Sequence, residues 1–193
     1  NEGNFYAIIG PSAAGKSTLL NILALLLKPD SGKIIINGVP ILELSKKKIN
    51  DFRINNIGLM FQDDLFIKEL SILENLEIIS QLSGKMLNAD LKEFIEILGI
   101  SDILTKLPTA ISRGQLQRAA LLRALIFNQP IIIADEPTAN LDSTNANIIF
   151  SLFRQLTNKG KIIIVASHDL NILSFVNHII KIKDGKLQEK KSL

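Results

Sequence analysis

Two spacings of apolar residues divide the chain. Short unbroken runs, Phe5 to Ile9, "IIIAD" at 131–135 and "KIIIVAS" at 161–167, have strand length and no polar alternation. That pattern predicts central parallel strands covered on both faces. "IGLMFQ" at 57–62 is a further short strand of this kind. From about 63 to 127 the period becomes helical, in Leu70/Leu73/Leu76, then Leu91/Phe94/Ile95/Leu98, then Leu116/Ala119/Ala120/Leu122/Leu125. Helices are also expected over about Lys16–Leu27 and Asn145–Thr157. Asn37-Gly38 and Asp184-Gly185 sit between strand-like runs and predict hairpin turns. Strands alternating with helices give an α/β fold with a mostly parallel sheet. The expected organisation is a single domain over 1–193, with a core from about 1–62 and 128–193 and a helical insertion at about 63–127.

Composition narrows this only slightly. A chain of 193 residues with 47% hydrophobic and 21% charged residues buries a sizeable core and is not a disordered composition. The net charge of +3 does not argue for nucleic acid, and no nucleic-acid partner is expected. Lys46-Lys47-Lys48 and the basic tail read as solvated faces. Without cysteine there is no disulfide, zinc-thiolate site or thiol nucleophile. No apolar run approaches the ~20 residues that span a bilayer. The chain starts without methionine and enters its first strand almost at once, so an N-terminal segment is expected to be missing.

Chemistry enters with "IIGPSAAGKSTLLNIL" at 8–23. Gly10, Pro11, Ser12, Ala13, Ala14, Gly15, Lys16 and Ser17 fit G-x-x-x-x-G-K-[ST] between a strand and a helix. Small residues let backbone amides converge on phosphate oxygens, and the helix start adds the positive end of its dipole. Lys16 would reach the β- and γ-phosphates, the Ser17 hydroxyl would coordinate Mg²⁺, and Thr18 would face a phosphate from the first helical turn. The second acidic site, Asp135-Glu136, ends a buried strand, where open parallel sheets bind their ligands. Asp135 is the expected metal partner opposite Ser17, and Glu136 is placed to polarise an attacking water.

Five motifs in order resemble the ATP-binding cassette (ABC) ATPases over essentially the whole chain. "GPSAAGKST" resembles their Walker A loop, and "FQDD" supplies a Q-loop at Gln62. "ISRGQLQR" at 111–118 is similar to the signature motif, and "IIIADEPTANLD" at 131–142 to Walker B and the D-loop. "VASHD" supplies the switch histidine, His168. The resemblance implies a P-loop NTPase that hydrolyses ATP with Mg²⁺, and assigns Gln62 to the metal or the lytic water. His168 would bond the γ-phosphate. Asp142 would contact an opposing subunit, and Ser112, Arg113, Gly114 and Gln115 would contact the nucleotide held by that second copy. ATP would then be sandwiched in a head-to-tail homodimer. Ser112 also suits a helix start, whose free amides favour an anion. "LNILALLLKPDSGKIIINGVPILELS" and "ELSILENLEI" are most similar to the macrolide-export, lipoprotein-release and cell-division type. That type implies a membrane permease or membrane-anchored partner at the cytoplasmic face of the membrane, docking where "DDLFIKELSILENL" offers apolar side chains. A regulator of a membrane or cell-division complex, with nothing transported, would carry the same catalytic residues.

Two positions depart from the family pattern. Ala13 stands where glycine is usual, at a cost on the order of 1 kcal/mol if that residue needs a positive φ. Arg113 replaces the first signature glycine and either points outward or adds a charge-assisted contact across the dimer. The strands and the adenine-stacking aromatic expected upstream are absent, and Phe5 and Tyr6 lie on the wrong strand to replace them. Arg113→Gly should leave ATP affinity nearly unchanged in calorimetry, and a large loss would mean that the signature has been misplaced.

Overall fold

A computed structural model describes residues 2–61 and 65–192. Its sheet has six strands, β1 (Phe5–Ile9), β4 (Ile57–Met60), β5 (Ile131–Asp135), β6 (Ile162–Ala166), β7 (His178–Lys183) and β8 (Lys186–Ser192), in the order β4-β5-β6-β1-β7-β8. All neighbours run parallel except β7 and β8. A separate antiparallel pair joins β2 (Ile35–Ile36) to β3 (Val39–Pro40).

The unbroken apolar runs have the reason expected of them. On β1, Phe5 and Ala7 face one core, while Ile8 faces the other. On β5, Ile132 and Ala134 face the first core, and Ile131 and Ile133 the second. Successive side chains point to opposite faces, so a strand buried on both sides has no polar position to spare. Helices α1 (Lys16–Leu23) and α2 (Lys46–Asn56) cover the second core. Helices α3 (Ile72–Ser83), α4 (Leu91–Ile97), α5 (Arg113–Ala124) and α6 (Ser143–Asn158) cover the first. Between β4 and β5 the described residues form helices and turns only.

Both predicted hairpin turns are present. Asn37 and Gly38 have φ of 51° and 77°, and Asp184 and Gly185 have 50° and 71°. Two successive left-handed residues are what a two-residue turn between twisted strands requires. Helix α1 is shorter than its apolar run. Leu25 adopts φ 60°, and the amides of Leu26 and Leu27 turn back to the carbonyl of Asn21. That back-bonding satisfies end carbonyls of the helix, as left-handed stop motifs do. Leu65 is exposed as expected, but Phe66 is not: it is buried in the first core, with the Arg123 guanidinium 4.7 Å from its ring centroid. Asn75 holds that stretch in place, accepting from the Ile67 amide at 2.7 Å and donating to the carbonyls of Ile67, Leu70 and Ser71.

Helix α5 lies so close to the edge strand that only glycine fits beneath it. A Cβ on Gly58 would stand 2.1 Å from the Ala124 carbonyl oxygen. Gly58→Ala is therefore expected to force β4 and α5 apart at a cost of about 1–3 kcal/mol, seen as a fall in Tm of several degrees. An unchanged Tm would show that the contact is loose.

Candidate functional site

The site forms along the carboxyl ends of three neighbouring strands, β5, β6 and β1. After β1 the chain turns through Gly10 to Gly15 and enters α1. A side chain at Gly10 would place a Cβ 2.1 Å from the Ile182 carbonyl oxygen, and Gly15 enters the helix at φ 98°. No side chain caps α1, whereas Ser71, Ser112 and Asp142 each cap the helix that follows them. The first amides of a helix have no intrahelical acceptor, so the start of α1 is left open to an anion. Ala13 adopts φ 60°, the conformation in which its methyl group carries a steric cost that glycine would not.

Lys16 is almost fully buried, and its Nζ donates to the carbonyls of Gly10 at 2.9 Å and Pro11 at 3.1 Å. Opposite it, Asp135 is only 5% exposed, and its Oδ1 has no hydrogen-bond partner. Burial raises its pKa above the ordinary carboxylate value. A hydrogen bond with Ser17 opposes that shift, the charge of Glu136 adds to it, and the charge of Lys16 opposes it. A buried carboxylate oxygen with no partner, next to a hydroxyl, supplies the oxygen donors of a hard-cation site. No group of three His, Asp or Glu side chains that could hold a metal occurs among the described residues. One carboxylate beside one hydroxyl is a donor set that fits Mg²⁺, which binds through one or two carboxylates and takes other oxygens from phosphate and water.

Glu136 follows in a left-handed conformation, φ 50°, with its amide donating to the Ala166 carbonyl at 2.9 Å. This turn sends its side chain to His168, whose Nδ1 lies 2.8 Å from Glu136 Oε2; the His168 amide donates to the same oxygen at 3.3 Å. The structure thus gathers Lys16, Ser17, Asp135, Glu136 and His168. Gln62 lies outside the described residues. Ser112 and Gln115 form a reciprocal cap on α5, the Gln115 amide donating to Ser112 Oγ at 3.2 Å and the Ser112 amide to Gln115 Oε1 at 3.0 Å. Ser112 and Arg113 are exposed. Asp142 caps α6 through the Asn145 amide at 2.9 Å, and that bond holds its carboxyl below the usual range.

One residue escaped the sequence reading. Gln117, buried on α5, donates through Nε2 to the Glu136 carbonyl at 2.7 Å and accepts from the Asn140 amide at 3.0 Å. A Cβ on Gly114 would touch Asn140 and Leu141 at 3.1–3.2 Å. The start of α5 is therefore tied to both Glu136 and the loop before α6. The signal was present in "SRGQLQR", where a glutamine precedes the largely buried face of a helix.

The pattern of the family described as ABC transporter matches residues 1–139, most of the chain. The chain belongs to this family. The cassette is 34% identical, over 98% of its length and 88% of the relative's, to a lipoprotein-releasing system ATP-binding protein LolD from Bacteroides thetaiotaomicron. It is 36% identical, over 96% of its length but 29% of the relative's, to a macrolide export ATP-binding/permease protein MacB from Vibrio parahaemolyticus. Its fold superposes with a TM-score of 0.91 on the ATP-binding cassette MJ0796 of Methanocaldococcus jannaschii, solved as a dimer in a post-hydrolysis state bound to ADP and Pi. That match covers 100% of this cassette and 87% of the solved chain at 34% identity.

Removing the charge at Asp135 tests its environment directly. Asp135→Asn should stabilise the ligand-free cassette by about 1 kcal/mol, raising Tm by about 2–4 °C, because a half-satisfied buried carboxylate is removed. A fall in Tm would mean that this carboxylate is fully paired.

Proposed function

We propose that the chain is the ATP-hydrolysing subunit of an ABC transporter. ATP closes a head-to-tail homodimer, and closure does work on a membrane partner at the cytoplasmic face of the membrane, in export or in release of a lipoprotein or peptide. The observation that carries this reading is the unpartnered oxygen of Asp135, buried and facing Ser17 and Lys16 beside an uncapped helix start.

Each residue then has a task. The amides from Gly10 to Thr18 bind phosphate oxygens, and Lys16 leaves the carbonyls of Gly10 and Pro11 for the β- and γ-phosphates. Ser17, Asp135 and Gln62 would hold Mg²⁺, which when bound supplies positive charge to the phosphate oxygens. Glu136 orients a water for in-line attack on the γ-phosphorus and draws on its proton; the bond to the β-phosphate oxygen breaks, leaving ADP and phosphate. His168, which contacts Glu136 Oε2, would turn to the γ-phosphate when ATP is bound. In a second copy, the exposed start of α5, from Ser112 to Gln115, and Asp142 meet the nucleotide and its loop. Gln117 fits this scheme, because it links the helix that would sense the partner's nucleotide to the backbone of the general base.

The membrane partner is supported by the relative whose name joins ATP-binding to permease. A place for it is the apolar cleft between β4, α2 and α3, lined by Ile54, Leu59, Ile79, Leu82 and Phe127. The helical insertion at about 63–127 supplies one wall. Glu136→Gln should bind ATP without turning it over, so Mg·ATP should convert purified monomers to dimers in size-exclusion chromatography, while the unaltered protein returns to monomer as ATP is consumed. A variant that stays monomeric at saturating Mg·ATP would refute the proposal.

A further inference from the structure

Lys46, Lys47 and Lys48 occupy the first turn of α2, all exposed, with no acidic residue in that turn. Cations at a helix N-terminus oppose the helix dipole, so this arrangement costs stability instead of adding to it. None of the three forms an ion pair among the described residues. Helix α2 itself has no buried residue and lies on the surface. Between Leu25 and Ile54 six lysines and arginines stand against Asp30, Glu43 and Asp51, an excess equal to the whole chain's net charge of +3.

The structure adds something that the lysines alone do not show. The loop after α1 brings Leu26 and Leu27, 48% and 46% exposed, to a groove of about 370 Å³ beside α2. Lys28, Lys46 and Arg53 line the same groove, and no carboxylate does. The loop is fixed there by the Arg53 guanidinium, which donates to the Leu25 carbonyl at 3.2 Å. Half-exposed aliphatic side chains inside a basic rim suit an anionic amphiphile. Nucleic acid would favour stacking aromatics, and the groove lining has none.

We propose that this surface, the first turn of α2 with the Leu26-Leu27 loop, docks on an anionic lipid bilayer. The proposal rests on the reading that the cassette works at a membrane. Lys46, Lys47 and Lys48 fan out about 100° apart around the helix end, which suits a broad charged surface, because each ammonium within a Debye length of it contributes without a specific contact. Leu26 and Leu27 then enter the headgroup region, as the apolar side of a peripheral anchor does.

The test is co-sedimentation of the full chain with phosphatidylcholine vesicles, with and without phosphatidylglycerol, at two salt concentrations. Binding should require phosphatidylglycerol and weaken with salt. Neutralising all three lysines (Lys46→Gln, Lys47→Gln, Lys48→Gln) should lower affinity about fivefold per residue, on the order of 100-fold together. The same variant should keep or raise its Tm, since dipole repulsion is removed, so lost binding cannot be lost folding. Leu26→Ser with Leu27→Ser should weaken binding to the same vesicles at both salt concentrations. Equal binding to neutral vesicles, full binding by the lysine variant, or binding to a single-stranded oligonucleotide in place of vesicles would each overturn the proposal. ATP-driven dimerisation of Glu136→Gln is measured without lipid, so the two readings can fail separately.

Discussion

A carboxylate held out of water next to a hydroxyl and an ammonium group is the tension on which the rest of this structure depends. Asp135 ends a strand buried on both faces, and burial favours its neutral form, while Ser17 and Lys16 favour its charged form. Neither side chain satisfies it completely, because Oδ1 stays without a partner. Lys16 is likewise occupied with carbonyls of its own loop. Folding thus brings opposite charges close without pairing them fully, and in a low-dielectric environment such groups interact strongly with an incoming phosphate and cation.

The surrounding elements serve this arrangement in separable ways. Strand β6, between β5 and β1, carries His168 to Glu136. The turn from β7 to β8 supports the Gly10–Gly15 loop through the Gly185 amide, which donates to the Ala14 carbonyl at 3.1 Å. On the other side, Gln117 connects α5 to the Glu136 carbonyl and to the loop leading into α6. Movement of α5 would be transmitted through this one buried side chain to the backbone of Glu136 by one hydrogen bond and to that of Asn140 by another. Such a link is stiff, because breaking either bond leaves a buried polar group unsatisfied.

The two basic and apolar features near α2 show how the same residue types acquire different meanings. As a sequence, Lys46-Lys47-Lys48 reads as a solvated run, because nothing nearby in the chain says what it faces. In the fold, the left-handed Leu25 ends α1 early and turns two leucines back toward that helix start. Phe66 moves in the opposite sense. Its position in an exposed-looking stretch suggested a docking surface, yet packing under Arg123 makes it part of the core.

What the sequence determined by itself is local. Unbroken isoleucine runs specify two-sided strands, Asn37-Gly38 and Asp184-Gly185 specify left-handed turns, and the small residues around Lys16 specify a loop whose amides can converge. Each follows from steric and hydrogen-bonding rules acting within a few residues. Tertiary structure decided what no local rule contains: that Asp135 lies against Ser17 with one oxygen free, that Glu136 turns to His168, and that Gln117 holds Glu136 and Asn140 together. Those contacts depend on strand order and on the path of α5 across the sheet, and burial, which sets the protonation preference of Asp135 and the exposure of Phe66, is a property of the assembled core.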